Sequence, residues 1–144
     1  MATRTGKAEW RGGLRDGRGE VTVGYGAFTG SYSYASRFEE GQGTNPEELI
    51  AAAHAACYSM ALANVLAEHG APPASVQTTA SVHLRPVDGA PTIARIDLDT
   101  VAEAPGLDEA SFKQHAQEAK EGCPVSRALA AVPEITLEAR LIGT

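Results

Sequence analysis

Residues 44–70 constrain the fold more than any other stretch. Thr44-Asn45-Pro46-Glu47-Glu48 is a helix start: Thr44 or Asn45 can cap, Pro46 suits the first helical position, and two glutamates face the positive end of the dipole. The helix is expected to run to about His69 and to stop at Gly70, with Pro72 and Pro73 beyond it. Alanines at 51, 52, 53, 55, 56, 61, 63 and 67 leave it apolar nearly all round. Such a helix belongs at the centre of a fold, with neighbours close on most sides. Leu49–Ala67 approaches the length of a membrane span, but it is mostly alanine and carries His54, Ser59 and Asn64, which favours a buried globular helix.

Around this helix the signals are mostly those of strands. Arg4–Trp10 and Gly19–Tyr25 alternate apolar and polar residues and are separated by a glycine-bearing turn. Phe28–Phe38 reads as a third strand, with Tyr32 and Tyr34 on one face and Ser31 and Ser33 on the other. Ser75–Leu84 and Ile93–Val101 form a pair joined at Asp88-Gly89. Asp108 can cap a helix from Glu109 to about Lys120, Pro124 opens a short helix to about Ala131, and Glu134–Leu141 closes as a strand in period two. The order predicts an α+β fold with mainly antiparallel sheets, organised as a single domain over residues 1–144.

Charge narrows the partners. The net charge is −6, which argues against nucleic acid or an anionic membrane as the main partner, since phosphate binding needs a basic surface. Met1–Trp10 has no apolar core of the secretory kind, so a cytoplasmic, soluble protein is expected. There is no phosphate loop, nucleophile elbow or dinucleotide fingerprint.

The two cysteines are the residues most able to carry chemistry. Cys57 sits mid-helix, where a cysteine is usually a small buried hydrophobe. Cys123 directly precedes Pro124 and so lies at a helix N-terminus, where the dipole and free amides favour thiolate over thiol. Arg37 and Glu47 flank the loop before the long helix, and by spacing alone they read as a surface ion pair and a first-turn glutamate. His54 and Cys57 are three apart on a helix and share a face. With Cys123 and one of His69, His83 or His115 they could form a metal site, although the usual Cys-x-x-Cys pairing is missing. Otherwise His54 is a packed or hydrogen-bonded helix histidine, poorly aimed as a base for Cys57.

Gly43-Thr44-Asn45-Pro46-Glu47-Glu48-Leu49-Ile50-Ala51-Ala52-Ala53-His54-Ala55-Ala56-Cys57 resembles the signature of the OsmC/Ohr family, osmotically inducible protein C and the organic hydroperoxide resistance proteins. Glu121-Gly122-Cys123-Pro124-Val125-Ser126 resembles the family's second cysteine motif. Trp10, the glycine-bearing turn and Arg37-Phe38-Glu39 resemble the OsmC branch more than the Ohr branch. The resemblance implies thiol-dependent reduction of hydroperoxides, organic ones especially, by an intertwined homodimer. It matches Cys57 to the peroxidatic cysteine, Cys123 to the resolving one, Arg37 to the active-site arginine and Glu47 to its partner carboxylate. It implies an external dithiol reductant of lipoyl type and no metal, flavin or haem. Tyr58, Met60 and Phe38 are expected to line an apolar pocket near Cys57. Two alternatives stand beside this reading. A non-catalytic module would hold an apolar ligand tightly, and a metal protein built on His54, Cys57 and Cys123 would carry stoichiometric zinc.

Overall fold

The computed structural model describes residues 2–142. The chain divides between Leu49 and Ile50 into two compact units.

In the first unit, β1 (Gly6–Arg11), β2 (Arg18–Val23) and β3 (Phe28–Tyr32) form an antiparallel sheet in that order. Trp10 pairs with Gly19, and Gly19 pairs in turn with Tyr32. The Trp10 and Tyr32 rings close over that glycine at 5.3 Å between centroids. A Cβ on Gly19 would lie 2.5 Å from Tyr32 Cε1 and 2.7 Å from Trp10 Cε3, so only glycine lets the two rings meet there.

The strand expected over Phe28–Phe38 ends early. Ser33 starts a short helix, α1 (Tyr34–Phe38), because Ser33 and Ser36 form a reciprocal capping box. The Ser36 amide donates to Ser33 Oγ at 3.1 Å, and the Ser33 amide donates to Ser36 Oγ at 2.8 Å. Two satisfied backbone donors outweigh the weak alternation of tyrosines and serines. Arg37 therefore sits in a helical turn rather than on a strand.

The long helix α2 runs Pro46–Glu68. Asn45 caps it by accepting the Glu48 amide at 2.8 Å. Gly70, at φ +80°, ends it, and the Ala71 amide closes back on Leu66 O at 2.9 Å. Among the described residues it is the one helix long and apolar enough to cross a membrane by length and composition. It is less enclosed than its composition suggests. His54, Tyr58, Leu62 and Leu66 form one fully buried stripe at four-residue spacing, while Ala53, Ala56, Met60 and Ala67 lie exposed in this single chain.

In the second unit, β4 (Ser75–Val87) and β5 (Ala90–Glu103) make a long antiparallel hairpin, turning at Asp88 (φ 52°) and Gly89 (φ 80°). Both turn residues are left-handed, as a type I′ hairpin turn requires. A bulge between His83 and Leu84 shifts the register. The helices α3 (Glu109–Gly122) and α4 (Pro124–Ala128) then carry the chain over, and β6 (Glu134–Ile142) pairs with β5 in parallel. That parallel pair is the exception in otherwise antiparallel sheets, and it follows from the helical crossover, which returns the chain to the same end of the sheet. The core of this unit gathers Tyr58, Leu62, Leu66, Leu98, Ala102, Phe112, Ala116 and Cys123 from α2, β5, α3 and the α3–α4 junction.

Candidate active site

Two groups of the expected site residues are assembled, one in each unit. In the first, Arg37 at the end of α1 meets Glu47 in the first turn of α2. Arg37 Nε donates to Glu47 Oε1 at 3.0 Å and Nη2 donates to Oε2 at 2.9 Å. This is a bidentate fork, the strongest geometry that arginine and carboxylate share. Glu47 is only 8% exposed, so it is a buried mount rather than a solvated first-turn glutamate. The carboxylate raises the guanidinium's pKa further, mainly through the hydrogen bond, and Arg37 carries a fixed positive charge.

Beside it lies a pocket of about 210 Å³ lined chiefly by Trp10, Leu14, Tyr32, Tyr34, Arg37 and Phe38. Its walls are aromatic and its one charged member is the arginine. Phe38 lines this pocket beside Arg37, whereas the pocket expected near Cys57 from Phe38, Tyr58 and Met60 is not what these residues form. Tyr58 is a core residue instead: it is fully buried and its hydroxyl donates to Ala116 O at 2.9 Å. Burial pushes that phenol's pKa well above its ordinary value. Met60 falls on the open side of α2, 76% exposed.

In the second unit the two cysteines, far apart in sequence, are neighbours, and both are free thiols. Cys57 is partly exposed on α2, whereas Cys123 is wholly buried between α3 and α4. Cys123 ends one helix and caps the next: its amide donates to Ala119 O at 2.9 Å, and its carbonyl accepts the Arg127 amide at 3.0 Å. The proline that follows has no amide to offer and suits the first helical position, while the Cys123 side chain makes no capping hydrogen bond.

The two thiols are consequently unequal. Burial pushes Cys57 up, the adjoining Cys123 sulfur adds to the rise, and the Val125 amide only partly opposes it. Burial also pushes Cys123 up, but the Ser126 amide and hydroxyl, the Cys57 thiol and the Val125 amide outweigh it, so Cys123 lies below an ordinary thiol. Within this chain Cys123 is the better-stabilised anion of the two.

Among the described residues His54, Cys57 and Cys123 do not form a group with metal-ligand spacing. His54 Nε2 is 2.7 Å from Ser126 Oγ, inside the core. Burial lowers its pKa, so the ring is neutral. His83 is engaged by Asp97 at 2.8 Å. His69 and His115 stack on each other at 4.1 Å, with Glu118 3.8 Å from His115 Nδ1. Ser126 is the residue that sequence spacing did not single out; its place in the Cys-Pro-Val-Ser run, one helical turn beyond Cys123, is the local signal for it.

The profile of the family described as OsmC-like protein matches residues 39–138. Peroxiredoxin OsmC of Escherichia coli (strain K12) is 46% identical over 139 residues, 96% of each chain. Organic hydroperoxide resistance protein OhrB of Bacillus subtilis (strain 168) is 31% identical over 140 residues, 96% of this chain and 98% of that one. The crystal structure of Bacillus subtilis OhrB superposes with a TM-score of 0.69 at 27% identity, covering 96% of this chain and 98% of the other. An OsmC-like protein from Mycoplasma pneumoniae shares the fold, with a TM-score of 0.73 at 18% identity and 99% of both chains covered. With both cysteine motifs in place, and with higher identity to the OsmC relative than to the Ohr relative, the chain belongs to the OsmC-like protein family.

Proposed function

We propose that this chain is a thiol-dependent peroxidase that reduces hydroperoxides, organic ones in preference to hydrogen peroxide, in defence against oxidative stress. The carrying observation is the pair of free cysteines brought together at the core from α2 and the α3–α4 junction. The names of the relatives, Peroxiredoxin OsmC and organic hydroperoxide resistance protein, support the same chemistry.

In this reading Cys57, the more accessible sulfur, attacks as thiolate. It attacks the terminal oxygen of the hydroperoxide, the O–O bond breaks, and the alkoxide leaves as alcohol after taking a proton. Cys57 becomes a sulfenic acid. Cys123, held towards the thiolate form, attacks the Cys57 sulfur, hydroxide leaves and is protonated to water, and a Cys57–Cys123 disulfide forms. An external dithiol, of lipoyl type, returns both thiols by exchange and is itself oxidised to a disulfide. The cycle uses no metal or organic cofactor.

Cys57 needs a positive charge to ionise, because burial and Cys123 both oppose it. Arg37, matched by the family resemblance to the active-site arginine and held by two hydrogen bonds to Glu47, supplies that charge and binds the peroxide oxygen. The aromatic pocket beside Arg37 suits the organic tail of a substrate. The entire chain acts as one OsmC-like domain in an intertwined homodimer, and the open apolar side of α2 around Met60 is the surface such a dimer would cover. A transient disulfide fits the reducing cytoplasm.

The test is peroxide-dependent consumption of dithiothreitol with cumene hydroperoxide and with hydrogen peroxide. Turnover faster with the organic peroxide and lost in Cys57→Ser supports the assignment. Undiminished turnover in Cys57→Ser removes it.

A further inference from the structure

His69, His115 and Glu118 are the one trio of histidine, cysteine or acidic residues among the described residues whose ligand atoms all lie within 4.8 Å of one another. His69 lies just past the end of α2, and His115 and Glu118 stand three apart on one face of α3. His69 Nδ1 is 2.9 Å from Val65 O. A carbonyl only accepts, so Nδ1 carries the proton and Nε2 of the neutral ring keeps its lone pair. Metal-ligating histidines are commonly fixed in this way, the second nitrogen donating to a backbone carbonyl. The His115 ring stacks on the His69 ring at 4.1 Å between centroids, and with a side chain only 14% exposed it is held by packing. Glu118 Oε2 is 3.8 Å from His115 Nδ1, too long for a hydrogen bond, and its side chain, 55% exposed, can turn.

We infer that His69 Nε2, His115 Nδ1 and a Glu118 carboxylate oxygen form a site for a first-row transition dication of the zinc class, which ties the end of α2 to α3. Two imidazoles and one carboxylate suit zinc, cobalt, nickel or copper; calcium and magnesium take oxygen ligands instead. Three protein ligands leave a fourth position for water. Ligands about 2.0–2.1 Å from a tetrahedral zinc stand about 3.4 Å apart, so the site closes by at most about 1.4 Å, within reach of side-chain torsions. The site uses neither cysteine and does not depend on the peroxidase reading. It is also separate from the zinc alternative built on His54, Cys57 and Cys123. Since α2 carries Cys57 and α3 ends at Cys123, the bound ion braces the two helices that bring the thiols together.

The test is titration of the reduced full chain with Co2+, whose ligand-field bands report coordination and whose thiolate charge-transfer absorption reports cysteine. One equivalent should bind without thiolate absorption, and binding should persist in the Cys57→Ser/Cys123→Ser protein. His69→Ala and His115→Ala should each weaken binding by about tenfold or more. His69 is exposed past the helix end, so His69→Ala keeps the experiment meaningful should His115→Ala fold poorly. Zn2+ should displace the Co2+ and, at about a hundredfold its own Kd, raise the thermal midpoint by roughly 5–10 °C, a shift lost in His69→Ala. Binding that is unchanged in His69→Ala overturns the site. So does a thiolate absorption that vanishes together with binding in the double cysteine variant, or a lack of binding at millimolar Co2+.

Discussion

Replacing Glu47 by Gln tests whether Arg37 is a mounted group or a surface contact. The substitution keeps the shape of the side chain but removes its charge and turns one of two acceptors into a donor facing the guanidinium. The hydrogen bonds at stake are 3.0 and 2.9 Å long. Breaking a fully buried ion pair costs about 3–5 kcal/mol. Here the Arg37 side chain is 35% exposed against 10% for Glu47, so water recovers part of the loss and about 1–2 kcal/mol is expected. That corresponds to roughly a five- to thirtyfold change in the unfolding equilibrium. Trp10 is the only tryptophan and lines the same pocket as Arg37, so its fluorescence reports on this unit. Urea unfolding of Glu47→Gln, Arg37→Gln and the double variant gives the coupling directly. A coupling of about 1–2 kcal/mol, with slower peroxide reduction in both single variants, supports a mounted arginine. A coupling below about 0.3 kcal/mol, the level of an ordinary surface pair, refutes the reasoning.

Other consequences are as direct. Leu62 is fully buried in the second unit's core, so Leu62→Ala should cost about 2–5 kcal/mol and lower the thermal midpoint by roughly 6–15 °C; a calorimetric shift under about 2 °C would contradict that packing. Gly89 adopts φ +80° in the β4–β5 turn, so Gly89→Ala should cost about 1–2 kcal/mol and speed hydrogen exchange at that end of the hairpin. Asp97 accepts from Thr136 at 2.6 Å, Arg95 at 2.7 Å and His83 at 2.8 Å, and these hold its carboxyl well below the usual carboxylate range. The contribution of a depressed carboxyl is complete above its unfolded pKa of about 4 and is lost as pH falls towards the folded value. Asp97→Asn should therefore be destabilising at neutral pH, and its deficit should shrink on acidification; urea midpoints that stay parallel down to about pH 2 would argue against it.

Much of the fold is written locally. The Asn45 cap, the Gly70 stop, the Asp88-Gly89 turn and the Asp108 cap each satisfy backbone groups within a few residues, and each appears where the sequence places it. Two features are not legible in that way. The capping box of α1 uses Ser36 where the common pattern has Glu or Gln, so the Phe28–Phe38 alternation reads as strand throughout. The parallel pairing of β6 depends on where the α3–α4 crossover returns, which no local period encodes. The site divides similarly. A helix-capping position for Cys123 follows from the proline after it, whereas Arg37 and Glu47 stand out only through the family resemblance, since spacing alone gives a solvated pair. The contact of His54 with Ser126 spans 72 positions and exists only in three dimensions. The exposed side of α2 shows that an all-round apolar helix need not be enclosed by its own chain.

The most direct test of the two-cysteine account is mass spectrometry of reduced protein given one equivalent of cumene hydroperoxide and then digested. The account predicts a disulfide joining the Cys57 and Cys123 peptides in the wild type, a single added oxygen on Cys57 in Cys123→Ser, and unmodified Cys123 in Cys57→Ser. Oxygen arriving first on Cys123, or the same modification in both variants, would contradict it.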